Sequence, residues 1–334
     1  MRQKHPTAPC LMFLFAAAAS TSAFAQTSPT SPTWPVKPIR MVIPWPPGGG
    51  ADIVGRILAE PLGQALGQQV VVENRGGSNG VIGAEAVARA VPDGYTIMFH
   101  SVTSHMLNPS FFPKLPYDTF TDFAPVGLVA EVPLAIVVNP VLPVKTLNDL
   151  IALAKKNPGQ LSFASFGAGS ISQLAGELFN RQFGVKMTHI PYKGGGPALV
   201  DTLGGHVPIY FSGIGTSLPM LRAGKLRALG VTTAARSKLL PDVPTVDEAA
   251  GSKGYEASVM FGLFAPAKTP QAIVTRLNAE TVRLLESADF QNRLANQGGS
   301  DRATSTSPQA MLDYMKANTP RWAALVKEIG ARID

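Results

Sequence analysis

The sequence predicts an α/β fold built as two lobes, and three observations carry that prediction. Short β-branched runs alternate with longer amphipathic stretches from Ile39 to Val231, the pattern of strands joined by helices. Glycine-rich turns stand between a strand and a helix at two distant places, residues 44–52 and 165–170. A tail from Thr269 onward reads as helices alone, so the chain returns to its first part after a middle section with strands of its own.

The runs at 39–42, 70–72, 96–99, 135–138, 161–164, 208–211 and 228–231 are bounded by turn residues and read as strands. Segments 52–66, 81–89, 147–156, 171–183 and 197–203 read as helices. Their apolar residues recur at three- and four-residue spacing, as Ile53, Ile57, Leu58, Leu62 and Leu66 do. Pro61 removes a backbone donor and is expected to kink or split the first helix. Strand-helix alternation of this kind predicts mainly parallel sheets. In the tail, Thr269-Pro270 and Ser307-Pro308 each set a capping hydroxyl before a proline at the first helical position. Two or three helices are expected there, with no strand between them. The first lobe is then discontinuous, residues 39–132 with 255–334, and the second lobe is 133–254. The chain would cross between them near Val132-Pro133 and near Gly254-Tyr255.

At the N-terminus Arg2 and Lys4 precede an apolar run from Cys10 to Ala19, followed by the small-residue site Ala23-Phe24-Ala25. This is the three-part pattern of a signal peptide, residues 1–25, cleaved before Gln26. A membrane-spanning helix needs about 18 or more apolar residues, and Ser20, Thr21 and Ser22 interrupt the run well short of that. Residues 26–38 are rich in Ser, Thr and Pro and read as a flexible leader. The single cysteine, Cys10, lies inside the apolar segment, so the exported chain has no disulfide and depends on its core, for which its length is ample.

Lys and Arg number 29 against 22 Asp and Glu, a formal net charge of +7. The charges are scattered, with only short groupings such as Lys155-Lys156 and Arg222, Lys225 and Arg227. No basic stripe interleaved with aromatics is present, which argues against a nucleic-acid partner, while a mildly positive surface assists capture of anions. Metal binding lacks support as well. No H-E-x-x-H occurs, and His100 and His105 stand five apart rather than three or four. No cofactor is expected.

The first candidate for chemistry is Pro44-Trp45-Pro46-Pro47-Gly48-Gly49-Gly50-Ala51-Asp52. Glycines there let a ligand approach the backbone, and the free N–H groups of a helix start favour an anion. A dinucleotide fingerprint fails because Ile53 stands where its third glycine belongs. A phosphate-binding P-loop fails because Arg56 and Ile57 replace its lysine and hydroxyl. A plain tight turn is the alternative. The second candidate, Ser165-Phe166-Gly167-Ala168-Gly169-Ser170, repeats the device in the second lobe. Two such junctions facing across a cleft would grip an anion from both sides. One helix end contributes about 0.3–1 kcal/mol and a micromolar ligand needs about 8 kcal/mol, so direct hydrogen bonds and bridging waters must supply the rest. In the third segment, residues 189–197, Tyr192 and the backbone beyond it can reach the cleft, and Lys193 reads equally as a solvated loop charge. Asp201 reads as a ligand for an amine or as an exposed helix acid.

An enzymatic alternative rests on Gly76-Gly77-Ser78-Asn79-Gly80, which satisfies the G-x-S-x-G nucleophile pattern of a secreted serine esterase. Its base would be His100, His105, His189 or His206. The pattern needs a strand running directly into it, and Glu73-Asn74-Arg75 intervene.

Taken in order, several motifs from Trp34 to the C-terminus resemble the tripartite tricarboxylate transporter substrate-binding family, the Bug receptors. They are residues 43–52, Val71-Val72-Glu73-Asn74-Arg75-Gly76, Pro92-Asp93-Gly94-Tyr95-Thr96, Leu115-Pro116-Tyr117-Asp118, the 165–170 loop, Pro191-Tyr192-Lys193-Gly194 and Leu240-Pro241-Asp242-Val243-Pro244-Thr245. The resemblance implies a type II periplasmic-binding-protein fold, with two α/β lobes around a cleft that holds a small carboxylate through backbone amides and ordered waters. By position Trp45, Pro47, Gly48, Gly49 and Asp52 would form the first-lobe side, with Ser101 and Thr103. Ser165, Gly167, Gly169, Ser170 and Tyr192 would form the second-lobe side. Gln173 stands where the family commonly has histidine. The implied protein is a monomeric, periplasmic, non-enzymatic receptor that closes by a hinge and delivers its solute to the membrane subunits of a secondary transporter. The resemblance also recasts residues 73–80 as a structural connection.

Overall fold

One strand runs through both halves of the molecule. In the computed structural model, which describes residues 34–300, 302–303 and 306–330 together with Met1 and Gln3, β4 (Phe123–Val138) is 16 residues long. Apart from Met1 and Gln3, the predicted signal peptide lies outside the described residues, as do residues 26–33 of the leader. Residues Trp34–Asp334 form one compact unit.

Around β4 the elements follow in order: β1 (Ile39–Ile43), α1 (Gly50–Leu66), β2 (Val70–Asn74), a 3₁₀ turn (Ser78–Gly80), α2 (Val81–Ala88), β3 (Thr96–Ser101) and α3 (Val102–Phe111) precede it. After it come α4 (Leu147–Lys156), β5 (Ser162–Ser165), α5 (Ile171–Phe183), β6 (Thr188–Pro191), α6 (Gly195–Leu203), β7 (Ile209–Gly213), α7 (Ile214–Arg222), β8 (Arg227–Val231) and α8 (Val246–Ala250). The chain ends with β9 (Ser258–Pro266), α9 (Gln271–Leu285), α10 (Ala288–Arg293), β10 (Arg302–Ala303) and α11 (Pro308–Ile329).

The strand order is β2-β1-β3-β9-β4-β7-β5-β6, with β8 and β10 also paired to β4. From Phe123 to Pro133, β4 pairs with β9. From Leu134 to Val138 it pairs with β7 on one side and β8 on the other. The partner therefore changes between Pro133 and Leu134. The Thr232 hydroxyl sits at that change, accepting from Leu134 N at 3.2 Å and contacting Ala257 O on the approach to β9. β1 with β2 and β3, and β5 with β6 and β7, are parallel. Every pairing of β4 and β9 is antiparallel, so the sheets are mixed rather than mainly parallel. The reason is topological, because β4 leaves the first half and β9 returns to it.

β4 is buried on both faces, and its side chains alternate between two cores. Leu134, Ile136 and Val138 join the larger cluster while Ala135 and Val137 join a smaller one with Tyr210 and Ile214. Double burial explains the unbroken apolar run from Leu134 to Val138. α1 continues through Pro61 without splitting. Two local expectations are corrected. Pro270, not Thr269, occupies the cap position of α9 and makes no side-chain cap, whereas Ser307 caps α11 as its motif predicts. A two-residue strand, β10, interrupts the helical tail because the edge of β4 at Ala130 and Glu131 is open to pairing. The end of the expected leader is also held: Val36 N donates to Tyr95 Oη at 3.0 Å, and Trp34 and Tyr95 meet with ring centroids 6.1 Å apart.

Candidate functional site

Four helix starts converge where the halves meet. α1 begins behind Gly49, α3 behind Ser101, α6 behind Gly194 and α7 behind Gly213. Residues of all four junctions line one cavity of ≈ 40 Å³: Gly49, Gly50 and Ala51; Ser101; Gly194 and Gly195; Gly213 and Thr216. The first N–H groups of a helix have no acceptor within it, and the helix dipole adds partial positive charge there. Four such ends around one space make a site for an anion. None of the lining side chains is charged, and the remaining wall is apolar, formed by Trp45, Pro46, Phe166, Val132, Val259 and Phe261.

The turn before α1 is braced from below. Gly48 takes φ +79°, a left-handed conformation suited to glycine, and its N–H donates to Asp52 Oδ2 at 3.0 Å. Asp52 Oδ1 accepts from Arg56 Nε at 2.8 Å and from Asn74 Nδ2 at 2.9 Å. Asp52, only 5% exposed, thus fixes the turn and is not among the residues that line the cavity. Trp45 is held by His100, whose Nδ1 accepts from the indole Nε1 at 3.0 Å. Burial, aided by the neighbouring His105, holds His100 well below its ordinary pKa, so the ring is a neutral acceptor.

Ser101 caps α3 by accepting from Ser104 N at 3.0 Å, which leaves its proton for a second bond. Thr103 points elsewhere, because two steps along a helix turn a side chain through roughly 200°. Its hydroxyl accepts from Met260 N at 3.0 Å, and it lines a separate cavity of ≈ 290 Å³ with Tyr314 and Trp322. Thr103 is therefore not brought to the cleft.

The second-lobe loop is satisfied mostly from within. Ser165 is buried, its Oγ 2.6 Å from His189 Nε2. Burial lowers the His189 pKa to about 4, so this ring too is neutral. Ser170 caps α5 and donates to Gly167 O at 2.6 Å. Gly169 N donates to Gln173 Oε1 at 2.8 Å. Of this loop only Phe166 reaches the cavity. Gly194, Gly195, Gly213 and Thr216 line the cavity on that side, and Gly213 and Thr216 carried no motif. The signal that could have found those two is the same in kind, a strand ending in glycine before small and hydroxyl residues.

Outside the cavity lies a groove of ≈ 800 Å³ that Pro47, Gly167 and Tyr192 line together with Ser78, Asn79 and Lys193. The Tyr192 hydroxyl donates to Asp201 Oδ2, which engages that acid within the protein. Two contacts divide groove from cavity. Trp45 meets Phe166 edge to face, with centroids 6.2 Å apart. Pro46 lies so close to Gly194 that a Cβ added there would stand 2.5 Å from Pro46 Cγ.

Ser78 is not set up as a nucleophile. It belongs to a 3₁₀ turn with φ +47°, four residues beyond the end of β2. The candidate bases are engaged elsewhere: His100 with Trp45, His105 with Thr119 O, His189 with Ser165 and His206 with Asp201. Among the described residues, no group of three or more His, Cys, Asp or Glu could hold a metal ion, and no helix is long and apolar enough to cross a membrane.

Residues 54–331 match the profile of the tripartite tricarboxylate transporter family receptor. The chain is 38% identical over 296 residues to protein BugT of Bordetella pertussis, covering 88% of this chain and 90% of BugT. Among solved structures, Rpa4515 of R. palustris with adipate superposes with a TM-score of 0.86 at 37% identity, covering 90% of this chain and all of that one. MatC from Rhodopseudomonas palustris with bound malate gives 0.80 at 33% identity, covering 88% of this chain and all of that one. With a profile match over most of its length and relatives of this similarity, the chain belongs to the tripartite tricarboxylate transporter receptor family, with the two-lobed α/β fold of periplasmic binding proteins.

Proposed function

We propose that the protein is a periplasmic receptor that captures a small organic acid between its lobes, seating one carboxylate against the starts of α1, α3, α6 and α7. The observation that carries this reading is the convergence of four helix starts on a cavity whose lining includes no charged side chain. An anion there gains about 0.3–1 kcal/mol from each helix end. Hydrogen bonds from Gly50, Ala51, Gly195 and Thr216, with the Ser101 hydroxyl, contribute the remainder of the ~8 kcal/mol a micromolar ligand requires. Trp45, Phe166 and Phe261 suit an apolar body on that acid.

A space of ≈ 40 Å³ accommodates only a few waters. Entry of an organic acid therefore requires the Trp45–Phe166 wall to part and the cavity to open into the groove lined by Pro47, Gly167 and Tyr192. In this reading the lobes are residues 39–132 with 255–334, and 133–254, and they rotate where β4 changes partners. Asp52, Ser165, Gly169 and Ser170 hold the loops in shape. The protein acts as a monomer, is exported with loss of residues 1–25, performs no covalent step, and presents its closed form to the membrane subunits of a secondary transporter. Adipate and malate, the acids bound to the two solved relatives, head the panel to try.

The test is thermal unfolding of the mature protein, refolded to remove carried-over ligand, against di- and tricarboxylates, aromatic acids and neutral amides. A ligand at a hundred times its Kd adds about 2.7 kcal/mol, a shift of several degrees. A shift confined to carboxylates supports the reading; a shift only with neutral amides overturns it.

A further inference from the structure

The Gly76–Gly80 loop has a role that neither the core nor the carboxylate site accounts for. Ser78 and Asn79 take φ of +47° and +52° in succession, a conformation that non-glycine residues keep only where their surroundings hold it. Gly80, at φ +87°, packs so closely that an added Cβ would stand 2.5 Å from His100 Cε1, which seats the loop on the histidine that holds Trp45. The result is to aim the Asn79 side chain, 8% exposed, across the mouth of the cleft. Its Nδ2 donates to Asn108 Oδ1 at 2.8 Å within the first lobe and to Gly169 O at 2.9 Å in the second.

Both partners are anchored. Asn108 donates in turn to Tyr117 Oη at 3.1 Å; the peptide that carries Gly169 O is held through Ser170 N, which donates to Gly167 O at 3.3 Å, and the preceding peptide through Gly169 N, which donates to Gln173 Oε1 at 2.8 Å. A fixed donor thus meets a fixed acceptor, the arrangement in which little side-chain freedom is lost on contact. We propose that Asn79 is a positioning residue for ligand capture: a latch that engages the Gly169 carbonyl when the lobes close and weights the equilibrium toward the closed form. Gln173 serves the latch by holding Gly169, the residue that carries its acceptor, through its N–H. Asn79 Oδ1 is buried without a hydrogen-bond partner in the closed form, and its hydration when the mouth opens keeps the latch reversible. The proposal rests on the two-lobed closure proposed above but not on the class of ligand.

Closure can be read without any ligand. The only cysteine of the chain is Cys10, within the expected signal peptide, so a mature protein with Pro47→Cys and Gly196→Cys carries a reporter pair alone. A Cβ at Gly196 lies 3.7 Å from Pro47 O across the mouth. The measurement is the initial rate of disulfide formation in oxidised glutathione, ligand-free. Asn79→Asp loses the donor and faces two acceptors with a carboxylate, and the rate is expected to fall about tenfold. Asn79→Gly keeps the left-handed backbone without strain, so the fold is retained, and the rate is expected to fall about fivefold. Rates within about twofold of the reporter protein in both variants would overturn the latch, whichever acids bind in the thermal test.

Discussion

The glycine loops at 44–52 and 165–170 look alike in sequence and do opposite work. In the first, Asp52 braces the turn from beneath, and the amides of Gly49, Gly50 and Ala51 are left at the cavity. In the second, Ser165, Ser170 and Gln173 engage the loop's own polar groups, and the cavity receives only the Phe166 ring. On that side the cavity is lined by the starts of α6 and α7 instead. A glycine and hydroxyl cluster before a helix therefore announces a helix start, but whether its donors are free depends on the side chains that pack beneath it.

The strongest way to break this contrast is to fill the space that the two lobes share. Gly194 has φ +110° and faces Pro46, so Gly194→Val both strains the backbone and holds the lobes apart. Titration with whichever acid shifts unfolding most is expected to show binding weakened more than about 100-fold, or about 3 kcal/mol, with the circular dichroism of a folded protein.

Acid should loosen the second loop through His189. Unfolded, that ring takes a proton near its ordinary value of about 6.5; folded, burial lowers it to about 4. Between those values the unfolded chain binds more protons. Stability therefore falls as the pH drops through the window, the loss reaching on the order of 3 kcal/mol by pH 4. His105, also lowered to about 4 by burial, adds a second share. Urea titrations from pH 7 to pH 4 should show His189→Gln losing about 3 kcal/mol less than the parent.

The smallest effects compare the two braces directly. Asp52→Ala frees the Gly48 turn and is expected to weaken binding about tenfold, since charge-assisted hydrogen bonds of about 1.5–3 kcal/mol are lost beside the cavity. Ser170→Ala removes a helix cap, lowering stability by about 1 kcal/mol, while binding changes by less than about threefold. Equal losses of affinity in the two variants would erase the contrast.

Much of this molecule was legible along the chain. Periodicity located α4 and α5 to the residue, because a helix on a sheet displays its buried face every three or four positions. The strand β4 was seen only in its last four residues, since Pro125, Gly127 and Pro133 interrupt the pattern and only pairing with β9 makes those residues a strand. Thr103 lies apart from Ser101, at a separate cavity, because closeness in sequence says nothing of helical phase until the helix is known. Gly213 and Thr216 went unseen although Ile214, Leu218 and Leu221 recur at helical spacing, because α7 is only nine residues long and holds Pro219 within it.

By itself, the sequence determined the fold class, the family and the two strand-to-helix turns, all of which depend on near neighbours and on the order of motifs. Which amides remain free at the cavity, which face Thr103 presents, and that Asn79 reaches Gly169 were decided only by the tertiary structure. These are relations between residues as many as 157 positions apart, and a hydrogen bond requires both ends to arrive within about 3 Å, a condition that only the packed chain can meet.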